Sequence, residues 1–528
     1  MHILTKKLEV TLGPDTSDLD MRFGLHSGPV TAGVLRGERS RFQLFGDTMN
    51  TASRIESNGK PGRIHISQET HGYLVAANKG HWATPREDMI TAKGKGKLKT
   101  YWLDTHKATS KTAKSQVSDN SYAKEETSLS PNTDMMFDEK TTRLVSWTTD
   151  VLTSLLKKVV AYRRSVSEHI VDPIQHISIK RSDSCTVLEE VADRIYLPRY
   201  ERCTKINVDE IVLDGHVEHQ LQEYVSAIAT MYRHNPFHNF EHASHVTMSV
   251  VKLMSRIVAP DVDVKGAADD RESTLHDYTY GITSDPLTQF ACVFSALIHD
   301  VDHTGVPNTQ LIQENPTLAK YYKNKSVAEQ HSVDLAWELL EDEAYTQLRG
   351  MIYQTECEKR RFRQLVVNSI MATDIMDKDL KEQRNARWER AFAEKTALNE
   401  TPKETVDRKA TIVIEHLIQA SDVAHTMQHW HIYRKWNQRL FEELYLAFLA
   451  GCSQSDPSNG WYKSELGFFD FYIIPLAKKL KDCGVFGVSS DEYLNYAEKN
   501  RNEWEQRGRE VVANMIEEIH MKYNNAKV

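Results

Sequence analysis

The chain has 528 residues, 40 % hydrophobic and 27 % charged, a globular composition long enough for two to four domains of roughly 150 residues each. Its 66 Lys+Arg against 74 Asp+Glu give a formal charge of −8, the wrong sign for a protein that mainly grips nucleic acid or an anionic membrane. Apolar runs stop short of the ~18 residues of a membrane span, the start Met1-His2-Ile3-Leu4 has no signal-peptide core, and six cysteines without a CxxC pair make neither a disulfide framework nor a zinc ribbon. The expectation is a cytoplasmic multidomain protein.

In chain order, residues 1–106 read as an α+β segment. Met21 to Val30 alternates and then turns, Gly62 to Ile66 and Thr100 to Leu103 are strand candidates, and Asp47 to Glu56 has helical spacing. From Lys107 to Thr133 ten of 27 positions are Ser or Thr, too few apolar groups to offset the entropy of ordering, so 107–136 is expected to be a flexible linker. Leu144, Trp147, Val151, Leu155 and Val159 then recur at three- and four-residue steps, which predicts a connecting helix within 137–184. From 185 to 528 helical periodicity dominates, over 217–232, 287–303, 328–340, 411–449 and 492–522.

Nine of the 23 histidines fall between His216 and His303. His238 and His242 follow Pro236 at a four-residue step, which would place both on one helix face. His299 and His303, with Asp300 beside them, would share a face at the end of an apolar helix, and Asp422 lies on a later one. A lone His pair on an apolar helix is usually structural. An adjacent His-Asp pair in a hydrophobic helix is costly to bury without partners. Imidazole suits zinc and carboxylate suits zinc and magnesium, so the three segments together favour a metal centre over three separate structural roles.

His299-Asp300-Val301-Asp302-His303-Thr304-Gly305-Val306-Pro307-Asn308, preceded by Phe237-His238-Asn239-Phe240-Glu241-His242-Ala243, resembles the signature of class I cyclic nucleotide phosphodiesterases. Ser326 to His331, Thr373-Asp374 and the Asp422 segment follow in the family's order. The resemblance implies an all-α, HD-type catalytic domain over 185–528 that hydrolyses cAMP or cGMP to the nucleoside 5′-monophosphate. It implies two divalent metal ions, Zn²⁺ at a tighter site held by His242, His299, Asp300 and Asp422, and Mg²⁺ (or Mn²⁺) at a second. Asp300 would bridge them and hold the nucleophilic hydroxide, and His238 would be the general acid. Glu329, His331 and Thr373 would order metal-bound water.

In the same resemblance Glu465 and Phe468 fall on the nucleotide-binding helix, Phe468 as the clamp on the purine; spacing alone would make it a core aromatic. The family nearly always has glutamine where this chain has Glu465. An ionised carboxylate only accepts hydrogen bonds, which suits the adjacent N1 and N2 donors of guanine, whereas a protonated one would serve either purine.

Phe23 to Val30 and Phe45-Gly46-Asp47-Thr48-Met49-Asn50-Thr51-Ala52-Ser53-Arg54 resemble class III nucleotidyl cyclases, especially guanylate cyclases, and Lys93 to Trp102 resembles their closing segment. The resemblance covers a partial α+β cyclase domain, the later half. It implies that Asn50 and Arg54 orient ribose and transition-state phosphate and that Lys93 binds the terminal phosphates; on spacing alone Lys93 is as well a solvated basic turn. Gln43 stands where the family's base-selecting residue falls. The family's two metal-binding aspartates precede the first segment present, so cyclase activity is not expected from this chain alone.

The expected partners are cAMP or cGMP, with either a homodimer or a second cyclase half as protein partner. A full-length fusion of this kind would be membrane-attached. Three other readings stay open at this point. One is a different HD-type metallohydrolase. Another is a non-catalytic cyclic nucleotide-binding module. The last is a cyclase active only when a partner supplies the missing half.

Overall fold

The computed structural model describes residues 22–35, 41–60, 62–92, 96–104, 137–165, 186–200, 206–257, 268–392, 401–453 and 455–524. Those up to 104 form one compact unit and those from 137 onward another. The predicted linker 107–136, Lys93 and residues 166–185 lie outside the described residues.

The N-terminal unit holds β1 (Phe23–Leu25), β2 (Thr31–Leu35), β3 (Arg41–Phe45), α1 (Asp47–Ser57), β4 (Ile64–Ser67), α2 (Gln68–Ala76), β5 (Ala83–Pro85), β6 (Ile90–Ala92), β7 (Gly96–Leu98) and β8 (Thr100–Leu103). Its main sheet runs β1-β4-β8-β5, parallel only between β1 and β4; β2–β3 and β6–β7 form separate antiparallel ladders. Ile66, Ala83 and Tyr101 make a small core. Buried His65 is fixed at both nitrogens, Nδ1 to the Ile55 carbonyl and Nε2 to Thr100 Oγ1, each at 2.7 Å. Gly24 is there because β1 runs hard against α1: a Cβ would sit 2.3 Å from the Glu56 nitrogen and 2.7 Å from the Ala52 oxygen.

The second unit is helical. It begins with α3 (Glu139–Ser165), then α4 (Gly215–Met231), α5 (Phe240–Ser255), α6 (Ala268–Tyr278) and α7 (Pro286–Ile298). Next come α8 (Asn308–Glu314), α9 (Pro316–Tyr321), α10 (Val327–Glu341), α11 (Thr346–Ile352), α12 (Glu356–Met371) and α13 (Lys378–Phe392). The last are α14 (Pro402–Asp422), α15 (Trp430–Leu449), α16 (Trp461–Phe468), a π-helical turn (Phe469–Ile473), α17 (Ile474–Asp482) and α18 (Gly487–Asn524). α7 is the hub, buried from Leu287 to Ile298 except at half-buried Gln289, and α3, α5, α12 and α14 pack on it. Pro286 stands at its start, where the missing N–H has no intrahelical partner to lose.

Three helix boundaries differ from the periodicity. The helix expected to include His238 starts only at Phe240, because extended Asn239 caps it by accepting the His242 N–H at 3.0 Å. The helix expected to reach His303 stops at Ile298, and Asp302 at φ +60 turns the chain away. The expected run 411–449 breaks between Asp422 and Trp430, where buried Asn500 of α18 donates to the Thr426 and Gln428 carbonyls at 2.8 and 2.7 Å. Periodicity continued through this break because both flanking helices bury apolar faces in one core.

Residues 186–200 run across α10, α12 and α14, and side chains rather than a sheet satisfy their backbone. Gln330 accepts from the Leu188 N–H, Thr411 from Ile195 and Asp407 from Leu197, while Asn368 both accepts from and donates to Ala192. The segment ties together the helices that carry Glu329, the Thr373 turn and Asp422.

Candidate active site

Three separated pieces of chain meet at α7's C-terminal end. His242 comes from the first turn of α5, His299 and Asp300 from the end of α7, and Asp422 from the last residue of α14. His242 Nε2 lies 3.0 Å from Asp422 Oδ1 and 3.7 Å from Asp300 Oδ2; His299 Nε2 lies 3.0 Å from Asp300 Oδ2 and 3.5 Å from Asp422 Oδ1. All four predicted ligands therefore converge, with both imidazoles about 2 % exposed or less.

The tautomer of His299 decides what this cluster can hold. Its Nδ1 lies 2.9 Å from the Ala296 carbonyl, which only accepts, so Nδ1 carries the proton. Nε2 then presents a lone pair, buried and without a hydrogen-bond donor, toward two carboxylates. Lone pair facing carboxylate is repulsive unless a cation lies between them. Without one the pair must bind a second proton: burial opposes this, but Asp300 and Asp422 push His299 well above its ordinary range. Burial raises Asp300, yet His299 and His238 hold it well below the usual carboxylate range, and Asp422 is likewise depressed against its burial by His242 and His299. Two imidazoles and two carboxylates on one point fit a divalent metal.

Beside the cluster stands His238, on the segment before α5 rather than on its face. Its Nδ1 bonds Glu443 of α15 at very short range, and the other oxygen of Glu443 accepts the Phe237 and His238 N–H groups at 2.8 and 2.9 Å. Burial disfavours the imidazolium, but the Glu443 carboxylate outweighs it and raises His238 to about 9, while His238 holds buried Glu443 at about 2. His303 does not join His299. It lies against His238 with ring centroids 3.9 Å apart, and burial together with the His238 charge lowers it to about 4. Asn235 donates to the carbonyls of both His238 and His303, and Gly305, at φ +80, lets the turn close on Asn235 and Glu443. Glu443 escaped the sequence reading because one carboxylate in an amphipathic helix carries no local signal.

Of the remaining predicted residues, Glu329 sits on the first turn of α10, where burial and the neighbouring Asp374 push its carboxyl up to about 8 while Asn308 donates to it at 2.8 Å. His331 is directed elsewhere: its Nε2 lies 3.2 Å from Asp302 Oδ2, and Asp302 also takes Arg233 at 2.7 Å. Thr373 Oγ1 donates to the Ile370 carbonyl at 2.8 Å. Phe468 is half-buried and stacks on Tyr472 at 5.4 Å, and Tyr472 feels the charge of Asp422. Glu465 is buried, accepts the Tyr433 hydroxyl at 2.7 Å and is pushed up to about 7, mainly by burial. In the N-terminal unit Asn50 and Arg54 both lie on α1, the first exposed and the second half-buried.

Residues 237–485 match the sequence profile of the 3′5′-cyclic nucleotide phosphodiesterase family, and residues 2–105 that of the Adenylate and Guanylate cyclase catalytic domain. Over 276 residues the chain is 28 % identical to the dual specificity calcium/calmodulin-dependent 3′,5′-cyclic nucleotide phosphodiesterase 1C of Homo sapiens, covering 50 % of this chain and 33 % of that protein. It is 28 % identical over 301 residues to the probable 3′,5′-cyclic-AMP phosphodiesterase pde-4 of Caenorhabditis elegans, covering 54 % and 39 %. Over 104 residues it is 44 % identical to guanylate cyclase 2G of Mus musculus, covering 20 % of this chain and 9 % of that protein. The chain thus spans well under half the length of each of these relatives. No helix among the described residues is long and apolar enough to cross a membrane. One chain therefore carries a stretch similar to the adenylate and guanylate cyclase catalytic domain and, after it, a stretch similar to the 3′,5′-cyclic nucleotide phosphodiesterases.

Proposed function

We propose that the helical unit hydrolyses 3′,5′-cyclic nucleotides to nucleoside 5′-monophosphates, with His242, His299, Asp300 and Asp422 holding a zinc ion and Asp300 shared with a second ion, magnesium or manganese. The observation that carries this is the buried His299 Nε2 lone pair, 3.0 Å from Asp300 and without a donor. When bound, the metal pair supplies an activated water nucleophile at neutral pH and charge stabilisation for the phosphoryl oxygens. His238 is the general acid. Glu443 keeps the proton on Nδ1, so Nε2–H is free to protonate the departing 3′ oxygen, up to about pH 9. Glu329 would order water around the second ion, His331 and Thr373 would do so only by exchanging their present bonds to Asp302 and the Ile370 carbonyl, and Phe468 would stack on the base.

At Glu465 burial pushes the carboxyl up to about 7, and against it the Tyr433 hydroxyl donates to the carboxylate; guanine is the base that the ionised, accepting form selects. Asn50 and Arg54 of the N-terminal unit, together with Lys93, would contact ribose and phosphate as in nucleotidyl cyclases, and a cyclase segment of another chain or a second copy of this chain is the expected partner. The domains run 1–106, 107–136, 137–184 and 185–528, and the location is cytoplasmic.

The test is product chromatography with cAMP and cGMP, before and after chelation and metal restoration. Metal-dependent release of 5′-AMP or 5′-GMP is expected. Stoichiometric nucleotide binding without turnover by metal-loaded protein would replace the hydrolase with a binding module.

A further inference from the structure

Between α5 and its neighbours lies a charge cluster that the proposed chemistry does not use. Glu241 precedes the metal-ligand candidate His242 in α5 and is mostly buried, with a side chain 14 % exposed. Three cations meet its carboxylate: Lys140 of α3 at 2.6 Å, Arg439 of α15 at 3.0 Å and Lys435 of α15 at 3.7 Å. His245, one turn along α5, stands 3.9 Å away. Burial would raise the Glu241 carboxyl, but Lys140 and Arg439 hold it down at about 2, so it is a permanent anion.

The cations come from two different helices, two from α15 and one from α3. Arg439 and Lys435 belong to the helix that carries Glu443, the partner of His238. Lys140 belongs to α3, which packs on α5 and on α7, the helix that ends in His299 and Asp300. At its far end α3 is anchored by Arg163, which donates to the Met351 and Ile352 carbonyls and pairs with Glu358 at 3.0 Å. With Lys140 in place the carboxylate is tied to both α3 and α15. Without it the remaining partners all lie on α15 or on α5 itself, and the first turn of α5 is drawn toward α15 alone. His242 rides on that turn, whereas His299, Asp300 and Asp422 are set by α7 and α14.

We propose that Lys140 and Glu241 are positioning residues for the metal centre: their ion pair balances α15 against α3 and so fixes where α5 presents His242. Neither touches the reacting atoms. The inference rests on the hydrolase reading for its kinetic consequence, but not for its effect on metal affinity.

The experiment uses the full chain and three proteins: wild type, Lys140→Ala and Lys140→Arg. Lys140 is partly exposed, and ion pairs of that kind contribute little to stability, so Lys140→Ala is expected to fold with a melting midpoint within about 4 °C of wild type. Zinc affinity, read by competition with a chromophoric chelator, falls about tenfold in Lys140→Ala, the scale of losses from outer partners of metal ligands. kcat falls by a similar factor with KM within about twofold, as misplacement of a ligand predicts. Lys140→Arg restores both. Zinc affinity and kcat both unchanged in Lys140→Ala would overturn the proposal. So would losses that track a lower melting midpoint and are not restored by arginine. A wild type that turns over no cyclic nucleotide while Lys140→Ala still loses zinc affinity would remove the hydrolase reading and leave the positioning role standing.

Discussion

The two units treat their candidate residues in opposite ways. In the helical unit His242, His299, Asp300 and Asp422 come from three helices and converge in a buried cluster, with each imidazole no more than 3.7 Å from both carboxylates. In the N-terminal unit Asn50 and Arg54 share one helix, α1, with Asn50 exposed. A motif on a single helix surface fixes which residue types are near each other. A site needs several elements to aim their groups at one point, and low dielectric to make those groups interact strongly. The contrast shows in protonation: charge partners move His238 and Glu443 far from their ordinary values.

The largest effect that can break this contrast is at His238. His238→Ala should lower turnover of cyclic nucleotide about 10²- to 10⁴-fold, while zinc affinity stays near that of wild type. Product chromatography and chelator competition read the two quantities separately, and a tenfold or smaller loss of turnover would remove His238 as general acid.

The next effect concerns Glu443 and its sign follows from protonation. A general acid works while it holds its proton, and His238 holds one up to about 9 because Glu443 overrides burial. Glu443→Gln leaves burial opposed only by the more weakly acting Asp300 and Asp422, so the proton is lost at lower pH than in the wild type. Turnover should fall more than tenfold at pH 8.5 and much less at pH 6, and the alkaline limb of kcat/KM should move to lower pH. A limb that does not move would sever Glu443 from the chemistry.

A smaller effect is expected at Glu465. Exchanging its carboxylate for an amide that both donates and accepts should lower the ratio of cGMP to cAMP turnover by about threefold to tenfold, the worth of one hydrogen bond. An unchanged ratio in Glu465→Gln would end the guanine reading.

The smallest effect on turnover belongs to the other unit. Gly24→Ala places a Cβ 2.3 Å from the Glu56 nitrogen, and such a clash costs about 1–3 kcal/mol. It should lower a melting transition of the N-terminal unit in calorimetry and leave phosphodiesterase turnover within about twofold.

How much of this was legible beforehand differs from residue to residue. That His299 and Asp300 need partners was readable because His-Asp adjacency inside an apolar helix is costly without one, and that cost is visible locally, whereas the joining of His242 and Asp422 to them was implied by the resemblance alone. The shared faces read from four-residue spacing were not real. His238 lies before the Asn239 cap and His303 beyond the α7 terminus, and these boundaries depend on side-chain bonds that periodicity does not contain. His303 consequently meets His238 rather than His299.

By itself, the amino-acid sequence determined the two-part organisation, the helical character of the second part and the need of the His299-Asp300 pair for partners, because periodicity, composition and adjacent buried charge are all local properties. Tertiary structure alone decided that Glu443 keeps the proton on His238 across 205 positions of chain. It alone brought Lys140 to Glu241, and it alone surrounded Glu465 with burial and a tyrosine hydroxyl. The reason is physical: a charge in an amphipathic helix looks like any solvated charge until packing removes its water and supplies its partner.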